Sequence, residues 1–137
     1  MAQCEAAGGD RDPRQARLPL SGLRLLIVED SPEYRAAMRG MAAALGAVVD
    51  TVDTGEAGAA ALASGGYDLA VVDIGLPDMS GGAVVAGARD CGAALLAVSS
   101  DDDGSGAPAA HAFAPKPFAS VAAFGEAALA ALAAKRC

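Results

Sequence analysis

Tryptophan is absent from this chain, aromatic residues make up only 4% of it, and there is a single histidine. A core with so few rings must be built from aliphatic side chains and alanine, in thin layers with close helix–sheet contacts. Cys4, Cys91 and Cys137 are odd in number and far apart, and no CxxC occurs. That spacing suits neither a disulfide framework nor a metal knuckle, and predicts reduced thiols in a cytosolic setting. Excess basic charge is missing as well: the formal net charge is −7. Such a surface repels nucleic acid and anionic membrane. No apolar run is long enough to span a bilayer, and the N-terminus carries no signal-peptide pattern. Nucleotide binding lacks support, because neither GxxxxGK[ST] nor a strand-linked GxGxxG is present.

What is present is a series of short apolar runs alternating with helical patterns. Residues 1–22 mix Gly, Pro, Arg and Asp without periodicity and read as a disordered lead-in. A first strand is predicted over Leu23–Val28. Ser31-Pro32-Glu33 then supplies a hydroxyl cap, a proline at the first helical position and an acid at the positive helix end. Further strands are predicted near residues 47–52, 67–72, 93–98 and 112–114, and further helices over 54–63 and 83–89. Residues 101–111, broken by Gly104, Gly106 and Pro108, make a poor fourth helix. Ser120 caps a last alanine-rich helix whose inward side is predicted to carry Val121, Phe124, Leu129 and Leu132. Five strands alternating with helices imply an α/β fold, a doubly wound parallel sheet with helices on both faces and the fourth helix shortened. At 137 residues this is one domain, set at 23–137.

Three acids close two of these apolar runs. Glu29 and Asp30 follow Leu25-Leu26-Ile27-Val28, and Asp73 follows Leu69-Ala70-Val71-Val72. Open α/β sheets place ligand sites at the strands' C-terminal ends. Three carboxylates gathered there repel one another and lose hydration unless a cation joins them. Magnesium takes oxygen ligands and keeps several waters, so Glu29, Asp30, Asp73 and the Gly75 carbonyl form a sufficient set. Asp73 is ionised near neutral pH and could attack phosphorus without a base, giving an acyl phosphate. An anion attacking an anion needs charge compensation, and Lys116, after the fifth strand, supplies a positive point charge. Ser99, ending the fourth strand, offers a hydroxyl to a phosphoryl oxygen.

Val28-Glu29-Asp30-Ser31, Val72-Asp73-Ile74-Gly75-Leu76-Pro77-Asp78-Met79-Ser80-Gly81, Ser99-Ser100 and Lys116-Pro117-Phe118 together resemble the receiver domains of bacterial two-component response regulators. The likeness runs from about residue 23 to 134. It implies the flavodoxin-like strand order 2-1-3-4-5, with Asp73 as phosphoacceptor and Glu29 and Asp30 as the acidic pair at Mg2+. It further implies Ser99 as switch hydroxyl, Lys116 as the phosphate-contacting lysine, Phe113 as an aromatic that turns inward on activation, and a cis Lys116–Pro117 peptide. The chain departs from the family pattern in short intervals on either side of Ser99, in Pro115 before the lysine, and in Gly82 at the third helix start. The expected function is a single-domain, cytoplasmic, non-enzymatic receiver, phosphorylated on Asp73 by a histidine kinase or phosphotransfer protein. Its output is expected to pass through contacts with a downstream protein, not through nucleic acid or membrane; homodimerisation is left open. The alternative is a receiver-like scaffold that does not switch. A haloacid-dehalogenase-type phosphatase is disfavoured, since those enzymes need a second aspartate where this chain has Gly75.

Overall fold

The computed structural model describes residues 18–100 and 107–136; expectations for residues 1–17, for the Asp101–Asp103 run and for Cys4 and Cys137 lie outside them. Five strands are present: β1 (Arg24–Val28), β2 (Val48–Val52), β3 (Leu69–Asp73), β4 (Ala94–Ser99) and β5 (Ala112–Pro115). They form one parallel sheet in the order β2-β1-β3-β4-β5. Helices α1 (Pro32–Ala44), α2 (Gly55–Ser64), α3 (Gly81–Gly87) and α4 (Val121–Arg136) are the four among the described residues. Five were expected. Residues 107–111 form a turn, and residues 101–106 of the expected fourth helix lie outside the description. No described helix is long and apolar enough to cross a membrane.

The uninterrupted apolar runs follow from burial on both sheet faces. Side chains alternate along a strand, so Leu25, Ile27, Leu69, Val71, Leu96 and Val98 point to one layer with Met38 and Ala42 of α1 and Phe124 of α4. Leu26, Val28, Ala70, Val72 and Leu95 point to the other, against Leu62 of α2 and Val84 and Val85 of α3. Gly58 looks like a flaw in α2 by helix propensity alone. It is a contact point instead: a Cβ there would lie 2.7 Å from Val28 Cγ2, so α2 reaches β1 only because the side chain is missing.

Two expectations need revision. Residues 18–22 were placed in the lead-in, yet Leu20 is fully buried and its N–H donates to the Leu45 carbonyl at 2.9 Å, tying this stretch to the end of α1. On α4, Phe124 is buried and Leu132 leans on the core, but Val121 and Leu129 are exposed. Ala128 and Ala131 take the inward positions. They stand four and seven residues from Phe124 on one helix face, whereas Leu129 lies about 140° round it. Small inward residues let the helix lie close on the sheet.

Candidate functional site

The C-terminal ends of β1, β3, β4 and β5 converge on a cluster of charged side chains. The Glu29 N–H donates to the Val52 carbonyl at 3.1 Å, carrying the strand pairing one residue past β1. Ser31 then caps α1, its hydroxyl accepting the Tyr34 N–H at 3.3 Å. This turn aims the Glu29 carboxylate inward, where it is fully buried, and leaves Asp30 exposed at the rim. The Ser31 N–H donates to Glu29 Oε2 at 3.1 Å. Arg35, one helical step further, donates to the Glu29 carbonyl at 3.0 Å and so braces the backbone of the acidic pair.

Asp73 ends β3 beside Val98 of β4 and is buried. The Gly75 N–H donates to its Oδ1 at 3.1 Å. The loop that follows is held at both ends. Asp78 accepts the N–H groups of Gly55 at 2.8 Å and Glu56 at 3.0 Å, capping α2, and these bonds hold its carboxyl below the usual range. Gly81 donates to the Ile74 carbonyl at 2.9 Å, and a Cβ there would sit 2.6 Å from Ile74 Cα, so only glycine lets the loop close so tightly.

Lys116 arrives from β5. Its N–H donates to the Ser99 carbonyl at 2.9 Å, which places Lys116 and the buried Ser99 side by side at the sheet's mouth. The Lys116–Pro117 peptide is cis. Phe118 beyond it meets Phe124 edge-to-face at 5.1 Å, fastening this turn to α4. The Lys116 ammonium lies 2.9 Å from Glu29 Oε1 and 3.3 Å from Asp73 Oδ1, and 4.3 Å from the centre of the Tyr34 ring.

One ligand atom from each of Glu29, Asp30 and Asp73 lies within 4.8 Å of the others. Among the described residues the Lys116 ammonium pairs with both Glu29 and Asp73, so these two buried carboxylates share one positive charge, with Asp30 at the rim. Burial pushes the Glu29 carboxyl above its ordinary value, and the bonds from Lys116 and Ser31 only partly counter it. For Lys116, burial works against the charged form, but the Glu29 hydrogen bond and the Asp73 charge outweigh it and raise the ammonium above its usual range. An all-oxygen donor set with uncompensated charge fits a hard divalent cation.

Of the residues singled out from the sequence, the structure brings Glu29, Asp30, Asp73, Gly75, Ser99 and Lys116 to one place. Phe113 stands apart, half-buried in β5 opposite Ala97 of β4. Sequence reasoning missed Tyr34, Arg35 and Asp78. A signal existed for Tyr34 and Arg35, because the Ser31-Pro32 cap fixes them in the first turn after the acidic pair.

Residues 25–106 match the family model described as response regulator receiver domain. The transcriptional regulatory protein TcrA of Mycobacterium tuberculosis is 39% identical over 89 residues, which are 65% of this chain and 35% of that protein. The aerobic respiration control sensor protein ArcB of Escherichia coli is 41% identical over 64 residues, 47% of this chain and 8% of that one. This chain thus spans a minor part of the curated relatives it matches. Among solved structures, the response regulator TrrA of Thermotoga maritima in complex with Mg(2+)-BeF superposes with a TM-score of 0.66 at 27% identity, covering 71% of this chain and 89% of that one.

Proposed function

Because the chain belongs to the response regulator receiver domain family, a module of phosphorylation-based two-component signalling, we propose that Asp73 is its phosphoacceptor. The donor is a phosphohistidine on a partner histidine kinase or phosphotransfer protein. An Asp73 oxygen attacks phosphorus, the N–P bond of the donor breaks, an O–P bond forms, and the released imidazole nitrogen takes a proton. The observation that supports this best is the Lys116 ammonium lying against both Asp73 and Glu29. It offsets the charge of the acceptor and stands where a phosphoryl oxygen would arrive.

Glu29, Asp30, Asp73 and the Gly75 carbonyl would hold Mg2+, which when bound supplies charge neutralisation for the incoming phosphoryl group. The protein's own groups do the rest. Acyl phosphate formation removes the carboxylate charge of Asp73, and the Lys116 ammonium shifts its hydrogen bond to the phosphoryl group. The Ser99 hydroxyl donates to another phosphoryl oxygen and draws the end of β4 inward. Phe113, half-buried on the neighbouring strand, turns inward as that space changes, and the altered surface meets a downstream protein. In this reading residues 23–137, with the packed residues 18–22, form a cytoplasmic signalling module, not an enzyme.

The test is labelling by acetyl phosphate with Mg2+, comparing wild type with Asp73→Asn. Label that depends on Asp73 supports the reading. A wild type that takes none supports the second one, a receiver-like scaffold without phosphorylation. The sequence of residues 101–111, broken by Gly104, Gly106 and Pro108 where a fourth helix is expected, favours that alternative.

A further inference from the structure

We propose that Tyr34 is a positioning residue for the Lys116 ammonium, keeping it at the mouth of the site while its carboxylate partners change. This rests on the reading of Lys116 as the phosphoryl-contacting group. Among the described residues the ammonium lies against three groups: Glu29 Oε1, Asp73 Oδ1 and the face of the Tyr34 ring at 4.3 Å from its centre. Two of these are carboxylates that metal binding and phosphoryl transfer both recruit. When Asp73 becomes an acyl phosphate its carboxyl is a poorer acceptor, and when Glu29 serves a divalent cation its hold on the lysine weakens. The ring is the neighbour that neither event consumes.

An aromatic face suits this task for an electrostatic reason. Its quadrupole attracts an ammonium lying over it, yet the side chain is neutral. A third carboxylate at that position would hold the lysine more strongly, but would also repel an incoming phosphoryl dianion. Tyr34 leaves the ammonium's hydrogen bonds free to exchange and adds no charge to the path.

Tyr34 is itself held firmly. Its N–H is bonded to the Ser31 hydroxyl, Pro32 sets the first turn of α1, and the ring is half-buried against the core layer formed by α1, α4 and the sheet. The lysine comes from the opposite side on the Lys116-Pro117 turn. The ring therefore joins α1 to the end of β5 across the site.

The test uses two variants of the full chain. Tyr34→Phe keeps the ring face; Tyr34→Leu keeps apolar bulk and removes it. Tyr34→Leu should slow Asp73 labelling by acetyl phosphate with Mg2+ about fivefold, and Tyr34→Phe should restore nearly the whole rate. A second reading needs no phosphorylation. In wild type and Tyr34→Phe the Lys116 ε-methylene protons should show an upfield ring-current shift by NMR, both free and with beryllofluoride and Mg2+, and Tyr34→Leu should abolish it. Equal labelling rates for wild type and Tyr34→Leu, or Tyr34→Phe as slow as Tyr34→Leu, would overturn the proposal. So would a wild-type spectrum lacking the shift, which decides the matter even where Tyr34→Leu does not fold. Failure of wild type to take label at all would sink the phosphoacceptor reading alone, since the ring-current shift still reports whether Tyr34 holds Lys116.

Discussion

The two ends of the sheet handle charge in opposite ways. At the C-terminal end the Glu29, Asp73 and Lys116 side chains are 0%, 7% and 6% exposed, three charges in a space with one more acid at its rim. Toward the N-terminal end Arg24, at the start of β1, reaches Asp50, midway along the edge strand β2, in a looser pair at 3.4 Å, with side chains 47% and 52% exposed. Tyr67 donates to the same Asp50 oxygen at 2.7 Å, and its ring lies under the Arg24 guanidinium at 4.5 Å. Charges at the second end stay in water, where pairing costs little and returns little. Charges at the first end sit where desolvation is costly, and the carboxylates outnumber the lysine. A fold selected only for stability would not place them there.

The largest effect that can break this contrast is removal of the lysine. Lys116→Met leaves Glu29 buried beside Asp73 with no cation, which should cost about 3 kcal/mol near neutral pH in urea unfolding. The loss should shrink in acid. The Glu29 carboxyl already stands above its ordinary 4.5, so folding favours its protonated form, and the stability this form confers is complete below 4.5 and lost as pH rises through the raised value. A cost that stays the same at pH 4 and pH 7.5 would mean Glu29 is not the strained partner. Next in size is Mg2+ itself. A cation bound only by the folded state at ten times its Kd adds about 1.4 kcal/mol, read as a rise in melting temperature that Asp30→Asn should reduce. An unchanged melting temperature across the Mg2+ range would make the three acids mere loop and cap residues.

Much of this contrast was legible beforehand, and the reason is physical. Central strands buried on both faces leave uninterrupted apolar runs, so an acid ending such a run stands out, and Asp73 and Glu29 stood out for that reason. The lysine was legible through Lys116-Pro117-Phe118. What escaped were contacts set by shape and not by composition. Tyr34 reads as one more apolar residue of α1, and only the Ser31 cap shows that its ring lies next to the acidic pair. Asp78 reads as a loop acid, although it caps α2 from across the fold. On α4, alanine on every side gives no hydropathy contrast, so Leu129 was placed inward where Ala128 and Ala131 do the packing. Leu20 was lost because its neighbours lack any period.

The N-terminal end offers the smaller tests. His111 precedes β5; its Nδ1 accepts the Leu95 N–H at 2.9 Å, and its Nε2 meets the Arg89 guanidinium. Burial, then the Arg89 and Lys135 charges, hold its pKa below the ordinary 6.5. A histidine lowered on folding contributes stability that is present above 6.5 and lost as pH falls through the depressed value. Wild type should therefore lose melting temperature on acidification below pH 6.5, by less than Mg2+ adds at pH 7.5. His111→Gln should flatten that slope. A slope unchanged in the variant would assign it to the carboxylates at the other end.

The smallest effect belongs to Asp50. Its carboxyl is held low chiefly by the Tyr67 hydroxyl, with Arg24 second, so Asp50→Asn keeps an acceptor for Tyr67 and removes only the charge. The expected cost is about 0.5 kcal/mol or less in urea unfolding, and it should fade in 1 M salt, as an exposed pair's does. Lys116→Met, by contrast, should keep most of its cost at that salt, because the charges it disturbs lie beyond the reach of counterions. If both variants responded alike to salt, the difference in burial between the two ends would carry no energetic weight. If only Asp50→Asn responds, the charges around Asp73 act on one another out of reach of counterions, and burial sets the energetic difference between the two ends.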